Sequence, residues 1–254
     1  MKSMRLFSGV LAVGAIALAG TFFSPAAAMA DDPAKQPDTH KHNDGADHKG
    51  HDHGDKDKKK DTKKMGDAKG AKIGEAAPEF TLTDVDGKTH KLSDYKGKIV
   101  VLEWFNPECP AILQHHEKAK TFNDMYNDFK GKDVVMIAVN SSAAGKQGAG
   151  KELNQKMAKQ FGMEYPVALD EDGTVGHAYG ATNTPHCFVI DKDGKLAYKG
   201  AIDNGKFGKN GDKNYVKQAV EQLLKGETVT TPETAAYGCS VKYADKGQST
   251  KPKK

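Results

Sequence analysis

A single cysteine stands at a point in the chain where a thiol could be reactive. Cys109 follows the apolar run "KIVVLEWF" after a short polar break, "NPE", and Pro110 comes next. Proline favours the first position of a helix, so Cys109 is expected at a helix start. The free N–H groups and the positive dipole end there stabilise a thiolate, which is the nucleophilic form. The sequence therefore predicts a nucleophile at Cys109, with a buried structural cysteine as the alternative.

The chain has three cysteines, so at most one pair can form within it. No two of them have CxxC or metal-finger spacing. A nucleophilic thiol needs a second thiol to complete a redox cycle. Cys239 is the better internal partner, because it lies beyond the last predicted helix in a segment expected to be mobile. Cys187 lies in the apolar run "HCFVI" and is expected in the core, although it stays a rival.

Apolar patterning around Cys109 predicts alternating strands and helices. "KIVVLEWF" and "DVVMIAV" are typical of strands buried on both faces, and Asp86-Gly87 indicates an N-terminal β-hairpin. "KELNQKMAKQF" followed by Gly162 indicates a helix. These elements predict an α/β fold, a central mixed sheet flanked by helices. A further amphipathic helix ending near Gly131 is predicted from the spacing of Ile112, Ala119, Phe122, Tyr126 and Phe129.

The N-terminal residues have the three-part pattern of a secretory signal peptide. A basic start precedes an apolar run, and "AMA" ends at Ala30, which predicts a signal peptide over residues 1–30. A retained membrane anchor is the alternative. No later segment is apolar and long enough to span a bilayer. We therefore expect an exported protein, periplasmic or extracellular, with no integral membrane segment after cleavage.

Composition divides the rest of the chain into three parts. Residues 31–70 are rich in Asp, Lys and His and have almost no apolar residues, which predicts a disordered linker. Residues 71–228 form the predicted domain, and residues 229–254 a polar tail with Cys239. Imidazoles near carboxylates can bind Zn or Cu weakly, and a plain His-rich spacer is the alternative. The candidate ligands are His40, His42, His48, His51 and His53.

Charge argues against a nucleic-acid partner. The net charge is +4, and no basic stripe is interleaved with aromatic residues. The partners expected instead are a small-molecule peroxide or a protein disulfide as substrate and an external thiol as reductant. No cofactor is required for that chemistry.

Two stretches resemble the redoxin branch of the thioredoxin-like superfamily, which includes the peroxiredoxin-like alkyl hydroperoxide reductase and thiol-specific antioxidant family. They are "APEFTLTDVDGKTHKLSDYKGKIVVLEWFNPECP" and "NTPHCFVIDKDGKLAYKGAID". The resemblance implies a thioredoxin fold, Cys109 as the attacking cysteine, and a cis bond between Thr184 and Pro185 packed against the thiol. Ile112 departs from the dithiol pattern, so the closest similarity is to members with one active-site cysteine.

The sequence also allows predictions for three polar residues near Cys109, which are Glu103, His115 and His116. Thioredoxins carry a buried carboxylate at the spacing of Glu103, so the resemblance implies a proton acceptor there; a sheet-edge residue reaching solvent is the alternative. His115 and His116 follow two helical turns after Cys109 and are expected on the helix surface, because two turns rise about 10 Å. A thiolate–imidazole copper site is the alternative for them.

These observations predict an exported thiol-dependent oxidoreductase, acting by peroxide reduction or by thiol–disulfide exchange. Cys109 is the predicted nucleophile, Pro185 shapes the site, and Cys239 or an external thiol resolves the intermediate. One alternative is a Cu- or Zn-binding module that uses the linker histidines beside a non-catalytic domain. Another is a non-catalytic domain that uses the same fold for docking.

Overall fold

The apolar run before Cys109 forms the centre of a seven-stranded sheet. A computed structural model describes residues 70–245, with the following elements in chain order. The strands are β1 (Thr81–Asp84), β2 (Thr89–Lys91), β3 (Ile99–Trp104), β4 (Val134–Asn140), β5 (Val167–Leu169), β6 (Asn183–Thr184), β7 (Cys187–Ile190), β8 (Leu196–Gly200) and β9 (Cys239–Ser240). The helices are α1 (Pro110–Leu113), α2 (Thr121–Phe129), α3 (Lys151–Phe161), α4 (Thr174–Tyr179) and α5 (Tyr215–Leu224).

The sheet is mixed, as predicted. Its order is β2-β1-β5-β4-β3-β7-β8. The three inner strands β5, β4 and β3 run parallel, and every other pairing in this sheet is antiparallel. Parallel neighbours need crossover connections, which the helical segments after β3 and β4 supply. The predicted α/β architecture with its N-terminal hairpin is therefore confirmed.

The N-terminal hairpin is built around one carboxylate. Asp84 Oδ1 accepts hydrogen bonds from the backbone N–H groups of Asp86 and Lys88, both at 2.9 Å. Gly87 has φ +90°, a conformation that glycine adopts without steric cost. The Asp-Gly turn signal in the sequence therefore marks the turn between β1 and β2.

Strand β3 is buried along its whole length and contributes to a core on each face of the sheet. Alternate residues of a strand point to opposite faces. Val101 packs with α2, α3 and α5 on one face, whereas Trp104 packs with Tyr179 of α4 and Phe188 on the other. Packing on both faces fixes the strand, and it therefore also fixes the position of the turn at the carboxyl end of β3.

The helix predicted to run on to Gly131 is interrupted. Helix α1 has four residues and continues into a π-helical turn, Gln114–Lys118, in which the Ala119 N–H donates to the Gln114 carbonyl at 2.9 Å. Lys120 then has φ +52°, and α2 begins at Thr121. The apolar spacing is compatible with one continuous helix, but it contains no signal for the extra residue that a π turn accommodates.

The chain after α5 returns across the domain. We call residues 229–245 the C-terminal strap. Strand β9 in the strap pairs antiparallel with β6, with Cys239 opposite Thr184. Further along, the Ala143 N–H donates to the Lys242 carbonyl at 2.8 Å, and the Tyr243 hydroxyl donates to the Ala181 carbonyl at 2.9 Å. The part of the tail that the structure describes therefore has a defined path beside the sheet.

No helix within residues 70–245 has both the length and the apolarity needed to cross a membrane. The predicted signal peptide and the predicted linker lie outside the described residues.

Candidate active site

The "NPEC" turn is shaped by its asparagine. Asn106 is buried, its side-chain oxygen accepts the Glu108 N–H at 2.9 Å, and its carbonyl accepts the Cys109 N–H at 3.0 Å. Its amide group also donates to the Gln147 carbonyl at 3.1 Å, which ties the turn to a neighbouring loop. Cys109 has extended backbone angles and Pro110 begins the helix, so the predicted placement of the thiol at a helix start is confirmed.

Cys109 is completely buried, and its sulfur has two close polar neighbours. The thiol donates to the Thr184 carbonyl oxygen at 3.1 Å, and its sulfur lies 2.6 Å from the sulfur of Cys239. The distance between the two sulfurs is shorter than an ordinary non-bonded contact between sulfur atoms, although it exceeds the S–S bond of about 2.05 Å. Both cysteines are free thiols in this structure. A small closing movement would therefore bring them to bonding distance.

The surroundings of the two sulfurs separate their acidities. Burial opposes ionisation of Cys109, but hydrogen bonds from the Cys239 thiol, the Thr184 side chain and two backbone N–H groups outweigh it, so the pKa of Cys109 lies below its ordinary value of 9.0. Burial and the neighbouring Cys109 raise the pKa of Cys239 to about 11. Cys109 is therefore the first of the pair to become a thiolate.

Thr184 contributes to this site through both its backbone and its side chain. Its hydroxyl oxygen is buried and makes no hydrogen bond to a nitrogen or oxygen atom of the described residues, which leaves the Cys109 sulfur as its neighbour. The hydroxyl proton is therefore free to turn toward a thiolate at Cys109. The Thr184–Pro185 bond is cis, as the family resemblance implied, and both residues are buried.

Gly238 allows the strap to approach this closely. Its φ is +116°, and a Cβ atom at this position would stand 2.2 Å from the Thr184 carbonyl oxygen and 3.3 Å from the Ala111 Cβ. Any larger residue would push β9 away from β6. The glycine directly before Cys239 is thus required for the contact between the two sulfurs.

Cys187 lies in the core, as predicted. It is fully buried in β7, where it pairs with Glu103 of β3. Burial, reinforced by the nearby Glu103 and Asp203 carboxylates, raises the pKa of Cys187 well above its ordinary value. A thiol that stays protonated is a poor nucleophile. The geometry thus brings Cys109 together with Cys239.

Glu103 is buried, which excludes the alternative of a solvent-reaching residue at the sheet edge. One carboxylate oxygen accepts from His116 Nε2 at 2.6 Å, and the other accepts from the Tyr165 hydroxyl at 2.9 Å. Within residues 70–245 it has no hydrogen bond to a sulfur. A role for Glu103 in proton transfer therefore remains a prediction, while its direct partners are a histidine and a tyrosine.

The expectation that His115 and His116 lie on the helix surface was wrong. Both rings are buried, because the π turn directs two consecutive residues into the domain. His116 stacks on Phe122 and Phe161 at centroid distances of 5.0 and 5.4 Å, and its Nδ1 atom has no hydrogen-bond partner in the described chain. A regular helix would have turned the His115 side chain about 100° away from that of His116.

His115 holds the strap that carries Cys239. Its Nε2 lies 2.8 Å from the Tyr237 hydroxyl, which in turn donates to Asp203. Burial lowers the pKa of His115 despite the nearby Asp203 and Glu103 carboxylates, so the ring is neutral at neutral pH and Nε2–H can donate to Tyr237. Thr121 completes the chain at Nδ1, 3.1 Å away.

Tyr165, Tyr237 and Asp203 were not singled out by the sequence pattern, and Thr184 was named only for its cis bond to Pro185. Tyr237 and Asp203 stand in segments flanking recognised motifs, "YGCS" and "YKGAID", but their mutual contact depends on tertiary structure. Trp104 packs on the face of the sheet opposite to Cys109, and its indole N–H donates to the Ser141 hydroxyl at 3.0 Å.

No metal centre is formed by the residues described. Between residues 70 and 245 there is no group of three or more His, Cys, Asp or Glu side chains able to hold an ion. The linker histidines His40, His42, His48, His51 and His53 all lie outside this range, so the predicted weak Zn or Cu binding remains a prediction.

A mixed sheet that presents a cysteine at a helix start, next to a cis-proline turn, defines the class of thioredoxin-like proteins. Within that class, the chain belongs to the AhpC/TSA family, which it matches over residues 73–199. The family resemblance inferred from the sequence is therefore confirmed.

Curated relatives and solved structures agree with this assignment. The thiol-disulfide oxidoreductase ResA of Geobacillus thermodenitrificans is 33% identical over 124 residues, 49% of this chain and 66% of the relative, so this chain spans just under two thirds of its length. An uncharacterized conserved protein from Geobacillus kaustophilus has a TM-score of 0.59 and 31% identity, with 68% of this chain and 93% of that chain covered. A hypothetical protein from Sinorhizobium meliloti has a TM-score of 0.61 and 26% identity, with 68% and 95% covered.

Proposed function

We propose that this protein is a thiol–disulfide oxidoreductase whose redox pair is Cys109 and Cys239. The observation that carries the proposal is the 2.6 Å separation of the two sulfurs, one of which belongs to the helix start and the other to the strap. The name of the ResA relative, a thiol-disulfide oxidoreductase, supports the same class of reaction. A dithiol built from two distant parts of the chain replaces the CxxC motif that Ile112 rules out.

The chemistry of the pair is a two-electron exchange. The Cys109 and Cys239 thiols together lose two protons and two electrons as their S–S bond forms, and the disulfide of a substrate takes them up to become two thiols. Cys109 supplies the thiolate that closes the intramolecular disulfide, because its pKa is the lower of the two. Pro185 shapes the turn that holds Thr184 against the sulfur. In the reverse direction an external thiol reductant restores the dithiol.

Disulfide exchange is favoured here over peroxide reduction by the packing around Cys109. Its sulfur is fully buried and in contact with Cys239, so a peroxide would have to displace the strap before reaching it. Exchange requires only that a substrate sulfur reach one member of the pair. The following experiment distinguishes peroxide reduction from disulfide exchange.

The test is to oxidise the reduced protein with substoichiometric oxidised glutathione or, in parallel, hydrogen peroxide, and to map disulfides in peptides without reduction. We expect a link between Cys109 and Cys239 with Cys187 unmodified, formed faster with the disulfide than with the peroxide. The variant Cys187→Ser is the control and should give the same link. A link that involves Cys187, or none within the chain, would refute the pair; a faster reaction with peroxide would make peroxide reduction the activity.

We also propose that the protein is exported to the periplasm or the cell exterior. The signal-peptide pattern over residues 1–30 supports this location, and an oxidising compartment is where a disulfide persists. N-terminal sequencing of the native protein should begin at Asp31. An intact Met1 in a cytoplasmic fraction would contradict export.

A further inference from the structure

The two sulfurs of the redox pair differ sharply in their access to solvent. Cys109 is 0% exposed and belongs to the apolar core formed with α2, α3 and α5, whereas Cys239 is only half-buried, in a strap whose next residue, Ser240, is exposed. A molecule approaching from solvent therefore meets Cys239 first. We expect Cys239 to be the more exposed cysteine in the disulfide form as well, since the two sulfurs are already in contact.

Thiol–disulfide exchange has a directional requirement. The attacking thiolate approaches the attacked sulfur in line with the S–S bond, from the side opposite the leaving sulfur. To attack Cys109, an incoming thiol would have to enter the apolar core to which Cys109, Ala111 and Ile112 belong. Cys239 is open to attack without such entry, because it is half-buried and the next residue, Ser240, is exposed.

We infer that an external thiol attacks the disulfide at Cys239 and expels Cys109 as the inner leaving thiolate. The inference rests on the proposed Cys109–Cys239 pair and assigns the order of events within it. A bond forms between the external sulfur and Cys239 Sγ as the bond between Cys239 and Cys109 breaks, and Cys109 leaves with the electron pair. A second external thiolate then attacks the mixed disulfide and releases Cys239, so that two external thiols become one disulfide.

The acidities of the pair support this direction. The thiol with the lower pKa is the better leaving group, and Cys109 has the lower pKa of the two. In the opposite direction the small ionised fraction of Cys239 attacks one sulfur of the substrate disulfide and expels the other as a thiolate. The Cys109 thiolate then attacks Cys239 Sγ, and the bound half of the substrate leaves with the electron pair. The partner thus never has to enter the core.

Lys242 adds a positive charge near Cys239. It lies three residues after Cys239 in the strap, its ammonium group is 3.3 Å from the Ser240 hydroxyl, and it acts to lower the pKa of Cys239. A cation at this position attracts an incoming thiolate. The chemistry therefore fits an anionic thiol, either a small acidic thiol or a cysteine in an acidic protein segment.

The first experiment identifies the attacked sulfur. The oxidised protein is mixed with glutathione, quenched with N-ethylmaleimide after less than one turnover, and mapped by mass spectrometry. We expect glutathione on Cys239 and maleimide on Cys109. Glutathione mainly on Cys109, or equally on both, would overturn the inference. Mapping of the unreacted oxidised sample tests the proposed pair separately, because a protein without the Cys109–Cys239 link would fail there first.

The second experiment tests the direction of approach. Lys242→Glu should slow reduction by glutathione about threefold at low salt and slow reduction by 2-mercaptoethanol less, because the 2-mercaptoethanol thiolate carries less negative charge than the glutathione thiolate. Lys225→Glu is the matched control, since Lys225 is an exposed lysine at the end of α5 with no ion pair in the described chain. Equal effects of the two substitutions would mean that attack does not occur beside Lys242, and would also overturn the inference.

Discussion

At the scale of single residues, the chemistry of Cys109 is determined by what surrounds its sulfur. Burial alone would make this thiol less acidic. The Cys239 thiol and the Thr184 side chain reverse that effect, together with the backbone N–H groups of Ile112 and Cys239. The Glu108 carboxylate, which could have opposed ionisation, instead accepts the Gly148 N–H at 2.7 Å. The proposed nucleophile is therefore activated by neutral hydrogen-bond donors.

The residue-scale prediction concerns Thr184. Thr184→Val removes the hydroxyl and keeps the shape, so the pKa of Cys109 should rise by about one unit, since a hydrogen bond to a charged group contributes about 1.5 kcal/mol or more. The thiolate of Cys109 then forms only at higher pH. Ultraviolet absorbance of the thiolate against pH, in the reduced protein, measures the change.

Thr182→Val is the matched control for this measurement. Thr182 is exposed two residues earlier, and its hydroxyl donates to Asn183. This variant should titrate like the wild type. An unchanged pKa of Cys109 in Thr184→Val would show that the buried hydroxyl does not stabilise the thiolate.

At the scale of elements, the π turn after α1 links two parts of the site. It directs His116 to Glu103 in the central strand and His115 to Tyr237 in the strap. A buried carboxylate needs hydrogen-bond partners to offset its lost hydration, and Glu103 has one on each oxygen. One short irregular element thus holds both the carboxylate near the sheet centre and the segment that carries Cys239.

The element-scale prediction is a coupling between Glu103 and His116. A double-mutant cycle with Glu103→Ala and His116→Ala should give an interaction free energy of about 1–3 kcal/mol, because each single substitution leaves the other side chain buried without its partner. Urea unfolding of the reduced protein measures the four stabilities. A cycle of Glu103→Ala with Glu117→Ala, an exposed residue of the same π turn, is the control and should show additivity. Additivity in the cycle of Glu103→Ala and His116→Ala would show that the two side chains do not stabilise each other.

At the scale of the whole molecule, the site is completed by a segment far along the chain. Cys109 and Cys239 are 130 residues apart in sequence, and their sulfurs meet because the strap returns to pair with β6. The strap is held at several points, which include Tyr237 on Asp203 and Tyr243 stacked on His177 at 4.1 Å. Formation of the proposed redox pair therefore depends on docking of the strap.

The prediction at this scale concerns Gly238. Gly238→Ala should reduce the rate of Cys109–Cys239 disulfide formation at least tenfold, because the added methyl group clashes with the Thr184 carbonyl and displaces β9. Gly226→Ala controls for backbone strain: Gly226 also has positive φ, +75°, but a Cβ there would meet no atom within 4 Å. The rate of disulfide formation under a fixed concentration of oxidised glutathione is the measurement. Equal rates in the two variants would show that docking at Gly238 does not control the reaction.

Much of the fold follows from local patterns in the sequence. The buried strands, the Asp-Gly hairpin and helix α3 were all predicted, because apolar periodicity and turn residues act over short distances. The position of Cys109 at a helix start follows in the same way from the strand before it and Pro110 after it. The interrupted helix was missed, since a π turn leaves no mark in the spacing of apolar residues.

What only the tertiary structure decided is which groups meet. The sequence by itself determined the fold class, the family and the candidate nucleophile, and it left Cys239, Cys187 and an external thiol as resolving partners. The structure brings Cys239 to Cys109 and keeps Cys187 in the core. It also shows that His115 and His116, which were expected on the helix surface, are buried in contact with Tyr237 and Glu103. These contacts join residues far apart in sequence, so they depend on how the elements pack, which no local pattern records.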